Sequence, residues 1–417
     1  MNRAHRRSAS KGGPKTTKPQ ATSTTTGDLS VVFASNAPFA PTGYGTQTAQ
    51  LTRRMRDDGH SIAIAANYGI EAAGLEWEGM WVYPRGLAPY SDDVLRAYSQ
   101  DWTAQHPAKT PVVFTLYDVW VYNKNESLPL IPRIFSWVPI DHQPCPPEVV
   151  AWCKRDNVTP IAMSKFGKQM LEDEGIECEY APHAIESVYA PTPMVKTPDG
   201  DVDPRLLIGV DKDAFVVMMN SANKGHAPIR KAFGEAFLAF SIFASTHPDA
   251  VLYIHAEERN AMGGIDLPAL ARACSIKPEQ LRFVNQFAYR QSIPESTLAA
   301  LYTTSDVLLA PSRGEGFGIP VIEAQACGTR VITSAWTAQP ELTAEDSWSV
   351  GGQPEWDPAQ GSWFFQPNIA EIVSALEKAY GAPRGTSRIA VDFAKAYHAD
   401  TVYAEHWRPI LERAALA

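Results

Sequence analysis

Short runs of β-branched and other apolar residues alternate with stretches of helical spacing along most of this chain. That alternation builds parallel sheets from strand-helix-strand units. In a first series Val31 to Ser35, Ser61 to Ala66, Pro111 to Leu116, Ile134 to Ile140 and Thr159 to Met163 read as strands. Each is short and nearly continuous in apolar character, as strands covered on both faces must be. Gly59 and Gly175 fall where the intervening helices should stop. A second series follows, with strands at Ala214 to Asn220, Val251 to Ala256, Leu281 to Val284, Val307 to Leu309 and Val331 to Thr333. The pattern predicts two similar half-molecules with a crevice between them, although no sequence repeat relates the halves.

Between the two series, Ala190 to Pro204 holds Pro191, Pro193, Pro198, Gly200 and Pro204, a composition that resists helix and sheet and marks a hinge. Beyond Gly225, Ile229, Phe233, Phe237 and Phe240 recur at helical spacing, which predicts a helix with one buried face. Arg230 and Lys231 would then occupy its first turn, where cations oppose the helix dipole at a cost of about 0.3–1 kcal/mol each. A solvated basic turn and an anion site both fit those two residues. At the other end, Tyr403, Trp407, Ile410 and Leu411 line one face of a helix predicted over Thr401 to Leu416.

Composition narrows the function. At 417 residues and 45% hydrophobic, the chain is long enough for two cored domains. Its net charge is −9, yet Met1 to Gly27 carries six bases and no acid, which leaves 46 acids against 31 bases, or −15, for the rest. A body that acidic repels a phosphate backbone, so nucleic acid is excluded as the main partner. The tail is rich in Ser, Thr, Lys and Pro, has almost no large apolar residue and reads as disordered. No apolar run approaches the roughly 20 residues of a membrane span. Cys145, Cys153, Cys178, Cys274 and Cys327 are scattered without pairing, which places the chain in a reducing cytoplasm.

Candidate chemistry concentrates between Ser305 and Ser334. Strand Val307 to Leu309 leads into the loop Ser312-Arg313-Gly314-Glu315-Gly316-Phe317-Gly318, then a helix from Ile319 to Cys327, a cap at Gly328 and a strand Val331 to Thr333. Three glycines bare their backbone amides at a helix N-terminus, where a phosphate gains hydrogen bonds and dipole stabilisation together. Pro320 suits the first helical turn, where its missing donor is no loss. Glu315 at the loop tip and Glu323 in the second turn can each accept paired hydrogen bonds from a sugar diol.

The run Glu315-Gly316-Phe317-Gly318-Ile319-Pro320-Val321-Ile322-Glu323-Ala324 resembles the paired-glutamate motif of the retaining family-4 glycosyltransferases of the GT-B fold, and the resemblance extends loosely from Val31 to Leu342. It implies an α/β architecture of two Rossmann-like parallel-sheet domains facing across a cleft. The implied segments are a basic tail at 1–27, an acceptor domain at 28–190, a hinge at 191–204, a nucleotide-sugar domain at 205–395 and a returning helix at 396–417. By the same resemblance Glu315 touches donor-sugar hydroxyls, Gly316, Phe317 and Gly318 offer backbone amides, and Glu323 binds the nucleotide ribose. Arg230 and Lys231 match the basic pair that neutralises a departing diphosphate. Gly43-Tyr44-Gly45 resembles the glycine loop of the first domain, so Gly43 and Gly45 join the donor site. Asp141 and His142 occupy the region where the family often places a histidine against the donor sugar, and either residue could fill the role. Ser164, Pro182 and His183 fit the pattern near the domain boundary and read as structural.

The implied activity is hexose transfer from a nucleotide-diphosphate sugar to an acceptor that is a protein, a lipid or a small molecule, with retention. The donor is a co-substrate and no cofactor is expected. No metal is expected either, because Asp201-Val202-Asp203 and Asp211-Lys212-Asp213, spaced like metal-binding aspartate pairs, fall at the hinge. A sugar-nucleotide epimerase, a phosphorylase and a non-catalytic nucleotide-sugar binder are the alternatives. Docking of the C-terminal helix on a membrane surface is a further option, disfavoured by its mixed charges.

Overall fold

The computed structural model describes residues 27–122, 124–225, 229–259 and 263–416. The basic tail up to residue 26, expected to be disordered, lies outside the described residues. The first sheet contains β1 (Leu29–Ser35), β2 (Ser61–Ala66), β3 (Leu75–Trp77), β4 (Met80–Tyr83), β5 (Thr110–Leu116), β6 (Ile134–Val138), β7 (Val158–Ala162) and β8 (Glu179–Tyr180). Their order across the sheet is β3-β4-β2-β1-β5-β6-β7-β8, parallel except for the β3–β4 hairpin. Register is set by apolar partners such as Val31 opposite Ile62 and Val112. Leu29, Val31 and Phe33 enter one core layer while Val32 and Ala34 enter the other, which is why β1 reads as unbroken hydrophobic sequence.

The expectation that the segment between the two series resists helix and sheet needs correction. Between Ala190 and Pro204 the chain forms a two-stranded hairpin, β9 (Val195–Thr197) and β10 (Gly200–Val202), and Asp203 caps a short helix Pro204–Leu207 by accepting from the Arg205 amide at 2.8 Å. The prolines sit outside the paired positions, so they do not block the ladder.

A second sheet follows, all parallel, in the order β13-β12-β11-β14-β15-β16, where β11 is Phe215–Asn220, β12 Ala250–His255, β13 Leu281–Phe283, β14 Val307–Ala310, β15 Arg330–Ser334 and β16 Trp348–Val350. Phe215, Val217 and Met219 pack on one side of β11, Val216 and Met218 on the other. The hairpin β17 (Gly352–Asp357) and β18 (Ser362–Pro367) then projects from this domain. Near the C-terminus, Trp407 stacks edge-on against Phe114 and Trp137 of the first sheet, with centroids 6.2 and 4.7 Å away. Arg408 and Tyr403 both reach Asp58 at the end of the helix Gly43–Asp57. A single apolar cluster consequently runs from the first domain through the chain crossing into the second. Among the described residues no helix is long and apolar enough to cross a membrane.

Candidate functional site

In an open parallel sheet the strand order reverses at one point, and the loops leaving the carboxyl ends there diverge to leave a crevice. In the first sheet that point lies between β1 and β5, followed by the first turn of the helix Gly43–Asp57, which carries Tyr44, and by the loop that carries Asp118. In the second it lies between β11 and β14, after which come Lys224, Arg230 and Lys231 on one side and the loop Pro311 to Gly318 on the other. The two crevices meet, and most of the residues singled out from sequence converge on that junction.

Glu315 is the centre. Its carboxylate accepts from Arg230 Nη1 at 2.6 Å and from Lys231 Nζ at 2.5 Å, and Arg230 also donates to the Gly314 carbonyl at 2.7 Å. Burial alone would push Glu315 up, but the charges of Arg230 and Lys231 overcome it and hold the carboxyl down at about 2. Lys231 is shifted downward, by burial first and by neighbouring Arg230 second. Arg230 and Lys231 do not lie in a helical turn as expected. The helix begins at Phe233, and Ala232 precedes it with φ +50°. An alanine in that left-handed region costs about 1 kcal/mol, and it turns the basic pair away from the helix axis toward the loop.

That loop is held by close packing against the opposite domain. A Cβ on Gly314 would fall 2.0 Å from the Asp141 carbonyl oxygen, so only glycine permits this approach, and Gly316 packs on Pro139 in the same way. Gly318 sits at φ +119° and begins the helix Ile319–Ala326. Among the described residues the N–H groups of Gly316, Phe317 and Gly318 make no hydrogen bond, whereas that of Glu315 goes to Thr337 Oγ1. The Phe317 side chain points the other way, into an aromatic ladder in which its ring meets His183 (5.3 Å) and Tyr397 (5.7 Å), and His183 meets Trp137 (4.3 Å). His183 is buried there with its pKa depressed by burial to about 3, while Ser164 caps the helix Lys165–Asp173. Arg313, also buried, pairs with Glu235 and Glu355 and so ties the loop to the helix Phe233–Ala244 and to β17.

Asp141 and His142 part company. His142 is 2% exposed, with Nδ1 2.7 Å from Asp141 Oδ1, Nε2 3.2 Å from Asp357 Oδ2 and its ring stacked on Phe364 at 3.7 Å. The β17–β18 hairpin thus encloses it, aided by main-chain bonds between Gln143 and Trp363. Asp141 faces the cleft, 3.8 Å from Arg230 Nε. Burial would raise its pKa, but His142 and then Arg230 bring it below the usual carboxylate value.

Glu323 lies on a different wall. It is 7% exposed and accepts from Tyr302 Oη at 2.8 Å, while Tyr302 accepts from Asn220 at 2.6 Å. Burial drives its pKa up to about 7, partly offset by hydrogen bonds from Tyr302 and Tyr189. In the first domain Gly43 lies 3.4 Å, by its would-be Cβ, from Ile319 of the donor helix, so that turn does face the second domain. Gly45 does not offer its amide: the N–H is taken by Thr42 Oγ1 at 3.0 Å, and the residue is pressed against the carbonyls of Ala37 and Ala40.

Sequence reasoning missed Tyr44, Asp118, Lys224 and Asp357. Tyr44 is raised well above its ordinary pKa, by burial and then by Asp118. Asp118 is pushed up to about 6, first by desolvation in the narrow cleft and then by Asp141. A lone acid after a strand carries no motif, but its place at the carboxyl end of β5 was a usable signal.

Residues 277–389, which include the loop, Glu315 and Glu323, match the family model described as glycosyl transferases group 1. The chain is 29% identical over 181 residues, 41% of its length, to a D-inositol 3-phosphate glycosyltransferase of Segniliparus rotundus. It is 37% identical over 57 residues, 14% of its length, to the O-antigen chain mannosyltransferase B of Escherichia coli. It spans only 38% and 15% of those two relatives. Among solved structures, sucrose-phosphate synthase from Thermosynechococcus elongatus superposes with a TM-score of 0.69 at 16% identity, covering 93% of this chain and 99% of that one. Anabaena HepE in complex with UDP-glucose gives 0.63 at 14% identity, covering 92% and 99%. The fold is GT-B. In GT-B terms the described geometry puts Arg230, Lys231 and Glu315 on the inner wall of the C-terminal domain, and Asp118, Tyr44 and Asp141 on the facing wall of the N-terminal one.

Proposed function

We propose that this protein is a retaining glycosyltransferase that moves a hexose from a nucleotide-diphosphate sugar to an acceptor hydroxyl, without a metal. The observation that carries the proposal is the meeting of two cations, one carboxylate and three unbonded loop amides at the junction of the two crevices. Arg230, Lys231 and Lys224 against Glu315 leave this wall cationic, which suits a diphosphate. The amides of Phe317 and Gly318, at a helix N-terminus, add donors without counter-charge.

Transfer needs the bond from the anomeric carbon to the diphosphate oxygen to break and a bond to the acceptor oxygen to form. The acceptor proton passes to an oxygen of the departing diphosphate, so no protein base is required. The side chains contribute by placement and by meeting charge that grows on the leaving group. Arg230 and Lys231 stabilise that charge, Glu315 accepts from the donor-sugar hydroxyls, and Asp141 orients the sugar from the other side. His142, held between Asp141 and Asp357, fixes Asp141 rather than touching the sugar. Glu323, anchored by Tyr302, receives the ribose diol.

Thermal-shift measurement against UDP- and GDP-sugars, followed by assay of nucleoside diphosphate release with mixed acceptors, tests the assignment. The expected outcome is stabilisation by one nucleotide class and release that depends on an acceptor. Stabilisation without release under any acceptor would make the protein a binder, and no stabilisation by any nucleotide sugar would remove the assignment altogether.

A further inference from the structure

The following rests on the donor site just described and concerns the wall opposite it. Asp118 leaves the carboxyl end of β5, and its carboxylate makes no hydrogen bond or ion pair among the described residues. Its side chain reaches solvent within the cleft, while the surrounding protein partly desolvates it and Asp141, Arg230, Lys224 and His142 lie close enough for it to feel their charges. One short turn on, Val119–Tyr122 buries Val119 and Tyr122 but leaves Trp120 40% exposed. Tyr90, from the loop after β4, is likewise 40% exposed and meets Trp120 edge-on at 72° with centroids 6.1 Å apart. An exposed, mutually braced Trp-Tyr pair beside an unpaired carboxylate offers a sugar both things it needs: an apolar ring face for its C–H surface and an acceptor for its hydroxyls.

Charge separates a neutral ligand from a phosphorylated one. The C-terminal wall is cationic, whereas Asp118 and Asp141 line this one. A phosphate group here would face two carboxylates, with the cations opposite already serving the donor.

We propose that Asp118, Trp120 and Tyr90 form the acceptor subsite, and that it takes an uncharged sugar unit whose ring stacks on Trp120 and whose hydroxyl donates to Asp118. The test uses an array of neutral di- to tetrasaccharides beside glucose 6-phosphate and inositol 3-phosphate, with tryptophan-fluorescence titration of the best neutral binder. The parent should bind a neutral saccharide and neither phosphate ester. W120A and D118N should each weaken that binding by about tenfold, and W120F, which keeps a ring, should recover most of the loss. Binding of the phosphate esters alone, binding of no saccharide, or parental affinity in both W120A and D118N would overturn the proposal. Nucleotide-sugar thermal shifts of the parent, run in parallel, separate the two claims. A parent that takes up a nucleotide sugar but no neutral saccharide defeats only the acceptor subsite, and one that takes up neither defeats the donor site too.

Discussion

Glu323 makes the most quantitative demand on the structure. A carboxyl that is 7% exposed and pushed up to about 7 binds its proton more tightly in the folded chain than in the unfolded one, where the ordinary value is 4.5. Between those two values the folded state holds the extra proton, so stability falls as pH rises through the window from about 4.5 to 7. Above it the ionised carboxylate costs roughly 3 kcal/mol, and at pH 5 the remaining cost is below about 1 kcal/mol. Glu323→Gln removes the charge and keeps an oxygen for the Tyr302 hydroxyl. Urea unfolding should therefore show the variant more stable than the parent by about 2–3 kcal/mol at pH 8 and by less than about 1 at pH 5. Nucleotide binding should weaken at the same time, because an amide accepts a ribose diol less well than a carboxylate. A variant no more stable than the parent at pH 8 would show that Glu323 is already ionised at no cost, and the account of its buried wall would be wrong.

Other expectations follow from the same geometry. Glu315→Gln should lower transfer on the order of a hundredfold while changing nucleotide affinity only a few-fold, as read from release kinetics and calorimetry. Because Glu315 is held at about 2, its contribution to stability is complete above pH 4.5 and lost as pH falls toward 2, so the variant's acid-unfolding curve should be shallower than the parent's over that range. Phe317→Ala should cost about 3–5 kcal/mol of unfolding free energy by emptying the aromatic ladder, measured by denaturant titration. Its transfer rate should fall as well, since the ladder sets the loop that carries the amides.

The ten strands expected from apolar runs are all present within two residues of their limits, because strands covered on both faces must be hydrophobic at every position. The strand-loop-helix unit around Glu315 was legible for a different reason: glycines are required where the loop touches Asp141 and Pro139, and that requirement is written in the sequence. Polar elements were not legible. The β17–β18 hairpin mixes Glu355, Trp356, Asp357, Trp363 and Gln366 and buries only Ser362, Phe365 and Pro367, too few to mark it in the sequence, and its partner in the site, His142, lies 215 residues before Asp357. The spacing of Ile229, Phe233, Phe237 and Phe240 predicts a helix that includes the basic pair, yet Ala232, at φ +50°, delays the helix to Phe233. Trp120 carries no local signal, and Asp118 only its place at the carboxyl end of β5, since what distinguishes both is being left exposed at a sheet's switch point.

The central claim is that Arg230 and Lys231 grip a diphosphate. Calorimetric titration of the parent and of an Arg230→Gln, Lys231→Met double variant, with a nucleoside diphosphate and then with the matching nucleoside, tests it directly. Affinity for the diphosphate should fall at least about tenfold in the variant while affinity for the nucleoside holds. Equal diphosphate affinity in the two proteins would contradict the claim.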